Sequence, residues 1–344
     1  MLWLQLVQYA GFFFAQISNS ILVYLITTKA ERLFGSYRHV MCVFALYSLI
    51  YSWIEVLTQP VMHIKGQVFI VYMDSPLKDY KWIGMEIVYL YCGSFALVIS
   101  LLAAQFFYRY VAICRQDLLP KLNGLKLGLI FVPCLICFFL WYEFVFYGMA
   151  NTVEKQEFMK EELRVVYNED SATVPFIAPM YWSIGKNGER NCKIIDCLSA
   201  VGCVGIISTC FSTILYCAYN IYRSMKNAQS HMSARTLELN RQLFITLTFQ
   251  TLLPFVMMYS PVGLLMTFPL FELYVGKIAN YVGATLAVYP ALEPLIAMFC
   301  IKEFRRTILG LRGHGSSETL EDYHSVDAKE ETVSVMVNMI PGIP

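Results

Sequence analysis

Seven separate runs of apolar residues constrain the fold of this 344-residue chain more than any other feature. An α-helix rises about 1.5 Å per residue, so roughly 20 apolar residues cross the hydrocarbon core of a bilayer. With 57% hydrophobic and 15% charged residues, the composition is also far from the soluble average of about 25% charged. The sequence therefore predicts an all-α membrane protein, a seven-transmembrane helix bundle. The predicted spans are about 5–27, 40–60, 83–108, 127–149, 197–221, 243–267 and 277–300.

The charges between these runs predict the orientation of the bundle. One alternating set of connecting segments carries 15 Lys and Arg residues, whereas the short segments of the other set carry 4. Since cytoplasmic loops are enriched in Lys and Arg, we expect the N-terminus outside and the C-terminus inside. The first run lacks a basic leader and a cleavage site, so we expect an uncleaved anchor. Residues 1–312 then form the membrane domain, and residues 313–344 a disordered acidic cytoplasmic tail.

Several function classes find no support in the sequence. The net charge of +1 offers no electrostatic basis for binding nucleic acid. The five histidines have no metal-ligand spacing, and there is no phosphate-binding loop or nucleophile motif. We therefore expect no enzyme activity, no metal and no cofactor. An odd number of spans also disfavours the two equal halves that many transporters display.

The long connection at 150–196 has two interpretations. Its segment TVEKQEFMKEELRVVYNED (152–170) places Phe158, Leu163 and Val166 among charged residues. This pattern is typical of a short amphipathic helix outside the bundle. The alternative is a solvated charged loop.

Four segments of the chain resemble a known family. They are YRHVMCVFALYSLIYSWIEVLTQPVMH (37–63), FFYRYVAIC (106–114), QLFITLTFQTLLPFVMMYSPVG (242–263) and YPALEPLIAMFCIKEFR (289–305). These resemble hallmark segments of nematode seven-transmembrane chemoreceptors of the Str class, a serpentine receptor family. The resemblance implies an olfactory-type G-protein-coupled receptor in the plasma membrane of a sensory cilium, with a small odorant or chemical cue as ligand. A ligand-gated seven-span odorant channel subunit, with its N-terminus inside, is the alternative.

The same resemblance implies a switch role for Arg109 at the inner end of the third helix. Tyr108 replaces the acid that precedes this arginine in rhodopsin-like receptors, and Tyr289 replaces the Asn before the kinking Pro290. We therefore expect Arg109 to pair with Glu293, an acid on the broken seventh helix. The alternative is an arginine that extends to lipid phosphates at the membrane edge.

The sixth helix and its neighbours are expected to couple to a heterotrimeric G protein. Pro254 predicts a kink, while Arg223 and Arg241 flank the inner ends of helices five and six. An opening bundle would expose a groove there for a partner's helix. In the tail, phosphorylation could recruit a kinase or arrestin-like partner. The candidate sites are Ser316, Ser317, Thr319, Ser325, Thr332 and Ser334.

Helical periodicity predicts a ligand cavity. Tyr91, Cys92 and Phe95 fall on the inward face of helix three, and Phe255 and Tyr259 are four apart on helix six. Aromatic walls with few polar atoms suit a small, mostly apolar, neutral ligand. The alternative is that these residues only pack the core.

The remaining polar residues within the spans allow both structural and functional roles. Glu55 and Glu143 are acids in the outer halves of helices two and four, and either could be purely structural. Asn19 is expected to hydrogen-bond between helices. Cys192 is the cysteine plainly in an outer loop, and a Cys92–Cys192 disulfide, by analogy with rhodopsin-like receptors, requires that loop to dip inward.

Overall fold

The computed structural model describes residues 1–30, 34–122, 124–185, 187, 189–227 and 234–310 of the chain. Seven of its helical segments are long and apolar enough to cross a membrane, which confirms the predicted seven-helix bundle. The predicted tail at 313–344 lies outside the described residues.

Ten α-helices, five short 3₁₀ helices, one π-helical turn and five short strands form the described structure. The helices are α1 (Leu2–Lys29), α2 (Tyr37–Thr58), α3 (Lys81–Cys114), α4 (Val132–Gly148), α5 (Val153–Tyr167), α6 (Ile194–Asn227), α7 (Ala234–Pro254), α8 (Ser260–Thr267), α9 (Asn280–Cys300) and α10 (Lys302–Ile308). The strands are β1 (Pro60–Lys65), β2 (Val68–Met73), β3 (Phe176–Ile177), β4 (Trp182–Ile184) and β5 (Arg190–Cys192). A π-helical turn at Phe255–Tyr259 joins α7 to α8, so these three pieces form the sixth span.

Helix α3 is the central element of the bundle, buried along most of its length and in contact with α2, α4 and α6. The outward faces of the other spans carry large apolar side chains that remain exposed, such as Phe13, Phe139 and Leu215. In water such a belt would associate, whereas in a bilayer it contacts acyl chains. The exposed belt and the buried centre together fit a membrane-spanning bundle.

The first and seventh spans are joined by a close contact at a glycine and by a hydrogen bond to a backbone carbonyl that a proline leaves without its helical partner. A Cβ atom at Gly11 would lie 2.3 Å from the Ala287 carbonyl oxygen, so only glycine allows this approach. Pro294 has no N–H to donate to the Pro290 carbonyl four residues earlier. Asn19 Nδ2 donates to that carbonyl at 2.8 Å, which confirms the interhelical hydrogen bond expected of Asn19.

Between α2 and α3 the chain forms a β-hairpin that the sequence analysis missed. Strands β1 and β2 pair antiparallel, with Lys65 opposite Val68, so only Gly66 and Gln67 form the turn. Gly66 has a φ of +52°, a conformation that glycine adopts easily. Strand β3 adds to the free edge of β2.

The hairpin lies between the bundle and helix α5, and both of its faces are buried. Alternate residues, including Met62 and Val71, pack into the main core of the bundle. The intervening residues, including Ile70, pack against Met159 and Leu163 of α5. This arrangement confirms the predicted amphipathic helix rather than a solvated loop. We call β1, β2, β3 and α5 the cap, the bundle end beneath them the cap end, and the opposite end the tail end.

A buried ion pair attaches the cap to α6, which is the fifth span of the bundle. Lys155 of α5 is 4% exposed, and its Nζ lies 2.7 Å from Asp196 Oδ2. The same carboxylate oxygen accepts a hydrogen bond from the Met180 N–H at 2.9 Å. Burial lowers the pKa of Lys155, and the hydrogen bond from Lys155 to Asp196 opposes that change.

Replacing Lys155 with Met should destabilise the protein, because Asp196 would stay buried without a counter-charge. Breaking one side of a buried ion pair costs about 3–5 kcal/mol. We expect a lower melting temperature of the detergent-solubilised protein, and partial recovery in the double variant Lys155→Met with Asp196→Asn, which keeps the hydrogen bond to Met180. Lys160→Met is the matched control, since the Lys160–Glu157 pair is exposed. Equal melting of the Lys155 and Lys160 variants would contradict this role.

Candidate functional site

The cap closes a small apolar cavity at the cap end of the bundle. Its volume is about 60 Å³. Helices α3, α4, α8 and α9 form its walls, and β1, β2 and the segment around β3 form its roof. The lining residues are Met62, Phe69, Val71, Tyr91, Cys92, Phe95, Trp141, Val145, Met149, Ile177, Pro179, Val262, Met266 and Leu286.

The structure brings together three of the five predicted ligand residues. Tyr91, Cys92 and Phe95 all line the cavity, each less than a tenth exposed. Tyr259 does not line it but packs on Phe95, with ring centroids 4.8 Å apart. Its hydroxyl donates to the Phe95 carbonyl oxygen at 3.2 Å. Phe255 is 46% exposed on the outer face of the bundle, so its placement in the cavity was wrong.

Sequence reasoning missed the cap residues and the α4 residues of the cavity. Met62, Phe69 and Val71 come from the unpredicted hairpin, while Trp141 and Val145 face inward from α4. The hairpin did leave a signal, because two apolar, β-branched runs flank a two-residue turn that contains Gly66. The inward face of α4 left none, since apolar residues surround that helix on all sides.

The predicted Cys92–Cys192 disulfide is absent from the structure, where both residues are free thiols. Cys92 is buried in the wall of the cavity, whereas Cys192 is exposed on β5. The Cys192 sulfur lies 3.8 Å from the Cys197 sulfur at the start of α6. The part of the connection around Cys192 therefore stays at the surface, whereas Ile177 and Pro179 of the same connection reach the cavity beside α3.

A buried histidine joins the hairpin to α5 within the cap. His63 of β1 is fully buried, and its ring nitrogens each lie 3.0 Å from a partner, Nδ1 from the Tyr167 hydroxyl and Nε2 from Glu162 Oε1. Tyr274, on the connection before α9, also donates to Glu162 Oε1 at 2.9 Å. Asn280 of α9 donates to the Tyr167 hydroxyl at 3.2 Å, and its Oδ1 accepts from the Met62 N–H. The roof of the cavity is thus joined to the seventh span.

Two lysines complete the electrostatic surroundings of His63. Lys65 Nζ lies 3.8 Å from Glu162 Oε2, and Lys277 Nζ lies 5.9 Å from the centre of the Tyr167 ring. Burial lowers the pKa of His63, and the neighbouring Glu162 carboxylate only partly offsets this. The pKa of His63 in the folded cap therefore lies below that of an exposed histidine.

At the tail end, Arg109 lies between the second and sixth spans. Its Nη2 donates to Asn240 Oδ1 of α7 at 2.5 Å, and its guanidinium carbon lies 5.2 Å from the centre of the Tyr37 ring of α2. Tyr37 also stacks on Tyr108. Arg109 is 8% exposed, so in this structure it points into the bundle and not toward lipid phosphates.

The prediction that Arg109 pairs with Glu293 was wrong. Glu293 is fully buried on α9, where Gln250 of α7 donates a hydrogen bond to its Oε1. No ion pair joins Arg109 and Glu293 among the residues that the structure describes. Arg109 is held instead by an amide and an aromatic ring, both uncharged.

The other predicted coupling residues lie where the sequence placed them along the chain. Pro254 ends α7 just before the π turn, and Pro290 lies inside α9. Arg223 is exposed near the end of α6. Arg241 lines an open groove of about 600 Å³ between the tail-end turns of α6 and α7. Glu143, the other acid considered, is exposed on α4.

Seven spans, a capped cavity at one end and a buried arginine at the other define a multi-pass membrane protein of the seven-helix receptor class. The family model for the serpentine type 7TM GPCR chemoreceptor Str matches residues 4–309, so the chain belongs to this family of nematode chemoreceptors.

Curated relatives agree with this assignment. The chain is 28% identical to "Serpentine receptor class r-10" of Caenorhabditis elegans over 344 residues, covering 99% of this chain and 98% of the relative. The Caenorhabditis briggsae protein of the same name is 29% identical, over 89% of this chain and 90% of the relative. "G-protein coupled receptor str-33" of C. elegans is 26% identical, over 90% and 91%. These relatives are receptors, a non-enzymatic class.

We predict that acid weakens the cap through His63. Because the folded pKa of His63 is lowered, the unfolded cap binds the proton more readily, and stability present above about pH 6.5 is lost as the pH falls. The loss for one such group is at most about 1.4 kcal/mol per pH unit. It is measured as the melting temperature of detergent-solubilised protein between pH 7.5 and 5.5.

The variant His63→Gln should flatten this pH dependence, whereas His39→Gln, at an exposed position on α2, should leave it unchanged. Parallel pH curves for the wild type and the His63 variant would show that other groups destabilise the protein in acid.

Proposed function

We propose that this chain is a chemosensory receptor that binds a small, mostly apolar ligand in the capped cavity and signals to a heterotrimeric G protein. The cap end faces outside and the tail end faces the cytoplasm, in keeping with the excess of Lys and Arg in the tail-end segments. Its site of action is the plasma membrane of a sensory cell, at the cilium. Family membership and the geometry of the sixth span support this proposal.

One observation carries the proposal: the sixth span contacts both the cavity and the buried arginine. At the cap end, Val262 and Met266 of α8 line the cavity. At the tail end, Asn240 of α7 accepts the hydrogen bond from Arg109. A ligand that moves α8 would therefore strain or release the contact that restrains Arg109.

The π turn between these two sites allows the sixth span to change shape. Its Met257 carbonyl accepts a hydrogen bond from Thr285 Oγ1 of α9 at 2.7 Å, outside the regular ladder of the helix. Its Tyr259 packs on Phe95, which lines the cavity. A ligand that shifts Phe95 would therefore also shift Tyr259 and the π turn of the sixth span. Such turns often occur at functional sites in helices.

The tail-end groove supports the G-protein part of the proposal. It combines apolar residues, such as Met225 and Leu237, with the basic Lys226 and Arg241. An amphipathic helix from a partner binds such a surface through an apolar face flanked by acids.

The first test truncates the cavity wall. Replacing Phe95 with Ala enlarges the cavity, so responses to short-chain ketones, alcohols and amines should shift by about tenfold or more in favour of larger members. Calcium imaging in cells that express the chain with an epitope tag at residue 1 gives the concentration dependence. Staining the tag on unpermeabilised cells measures surface delivery and, at the same time, the orientation of the N-terminus.

Phe255→Ala is the matched control, because Phe255 is an aromatic residue of the adjoining π turn that faces away from the cavity. It should leave the size preference unchanged. An identical change in both variants, or a tag that stains only after permeabilisation, would count against the proposed receptor.

The second test separates restraint of Arg109 from its signalling role. Asn240→Ala removes the acceptor from Arg109 and should raise basal G-protein activation, because a hydrogen bond to a charged group contributes about 1.5–3 kcal/mol to the resting state. Arg109→Ala should abolish signalling while surface delivery persists. Basal nucleotide exchange on a co-expressed G protein is the measurement. Poor surface delivery of both variants, without a rise in the basal activity of Asn240→Ala, would show that Arg109 and Asn240 serve folding alone.

A further inference from the structure

Behind the Tyr91 wall of the cavity lies a group of buried polar atoms without partners. Glu55 of α2 is 2% exposed, and neither of its carboxylate oxygens has a hydrogen-bond partner in the described part of the chain. The hydroxyls of Tyr51 and Tyr91 are also buried and lack partners there. The two tyrosine rings stack with centroids 6.4 Å apart, and the Tyr91 hydroxyl approaches Glu55 without an ordinary hydrogen-bond geometry.

Such a group is expensive to keep without a ligand. A buried polar group left without a partner costs about 1–3 kcal/mol, and a carboxylate within a membrane costs more. Four such atoms on three neighbouring side chains therefore favour a polar occupant that pairs with them. Tyr91 belongs both to this group and to the cavity wall, so the two sites adjoin.

The hydrogen-bonding capacity of these unpartnered atoms indicates which chemical group binds there. The carboxylate oxygens of Glu55 only accept hydrogen bonds when ionised, and the phenol oxygen of Tyr91 can also accept. A primary ammonium group has three donors, no acceptor and a positive charge that neutralises the carboxylate. The rest of the cavity is lined by apolar side chains, which suit a short hydrocarbon chain.

We propose that Glu55 and Tyr91 bind the ammonium head of a small aliphatic amine, whose hydrocarbon chain fills the cavity beneath the cap. This rests on the proposed ligand-binding function and narrows its ligand class. It also replaces the expectation of a neutral ligand with a positively charged one. Tyr51 completes the site from the second span, so the ligand would link α2 with α3.

The test compares probes of equal length on the detergent-solubilised full chain near pH 7. Thermal unfolding is followed against increasing 1-aminopentane, 1-pentanol or 2-pentanone. We expect the amine to stabilise the wild type at about tenfold lower concentration than the alcohol, the ratio expected for one charge-assisted hydrogen bond. In Glu55→Gln this preference should disappear while the response to the alcohol remains.

Matched variants keep the test interpretable. Glu143→Gln removes an exposed acid of α4 and should keep the amine preference. Tyr91→Phe retains Glu55 and should lose part of the amine preference. This variant provides a second measurement if Glu55→Gln does not fold. Equal potency of amine and alcohol on the wild type, or an unchanged preference in both site variants, would overturn the proposal.

A comparison with sodium tests whether the site binds an inorganic cation and not an amine. Sodium chloride is compared with choline chloride at constant ionic strength. Stabilisation by sodium that depends on Glu55, without any amine preference, would assign the site to an inorganic cation and overturn the amine proposal. The readout is binding and does not involve signalling, so failure here leaves the tests of Phe95 and Arg109 intact.

Discussion

The need to pair every backbone carbonyl inside a membrane governs how this bundle is held together. Prolines interrupt the sixth and seventh spans, and each interruption frees carbonyl groups that hydrocarbon cannot solvate. Asn19 donates to the Pro290 carbonyl, and Thr285 donates to the Met257 carbonyl in the π turn. The same two contacts join α1 to α9 and α9 to the sixth span. The irregular places in the helices are thus the places where the helices are joined.

The cap solves a different problem, that of covering the cavity with polypeptide. A β-hairpin has two faces, and here one face packs on the bundle while the other packs on α5. The outer edge of β2 is covered by β3. His63 joins the hairpin to α5, and the Met62 N–H donates to Asn280 of α9. The cavity therefore lies between the bundle and the hairpin. The hairpin residues that face the bundle, such as Met62 and Val71, belong to its main core, so the roof and the bundle share one apolar interior.

The sequence predicted the helices and the α3 wall of the cavity, because both depend on local periodicity. Tyr91, Cys92 and Phe95 were identified because α3 is a regular helix at 3.6 residues per turn. Phe255 was misplaced because a π turn adds a residue to the turn, so residues four apart no longer share a face. The partners of Arg109 and Glu293 could not be predicted from local periodicity, since Asn240 and Gln250 are more than 40 positions away from them along the chain.

In the proposed receptor, the contacts that hold Arg109 are weak enough for a small ligand to overcome. A hydrogen bond to the neutral Asn240 and a cation–π contact with Tyr37 each contribute about 0.5–3 kcal/mol, whereas breaking a buried ion pair costs about 3–5 kcal/mol. A ligand shifts an equilibrium only by its differential affinity for the two states. A cavity of about 60 Å³ holds few atoms, each worth at most about 1.5 kcal/mol. Under the proposed function, uncharged partners of Arg109 therefore keep the resting state within reach of a small chemical cue.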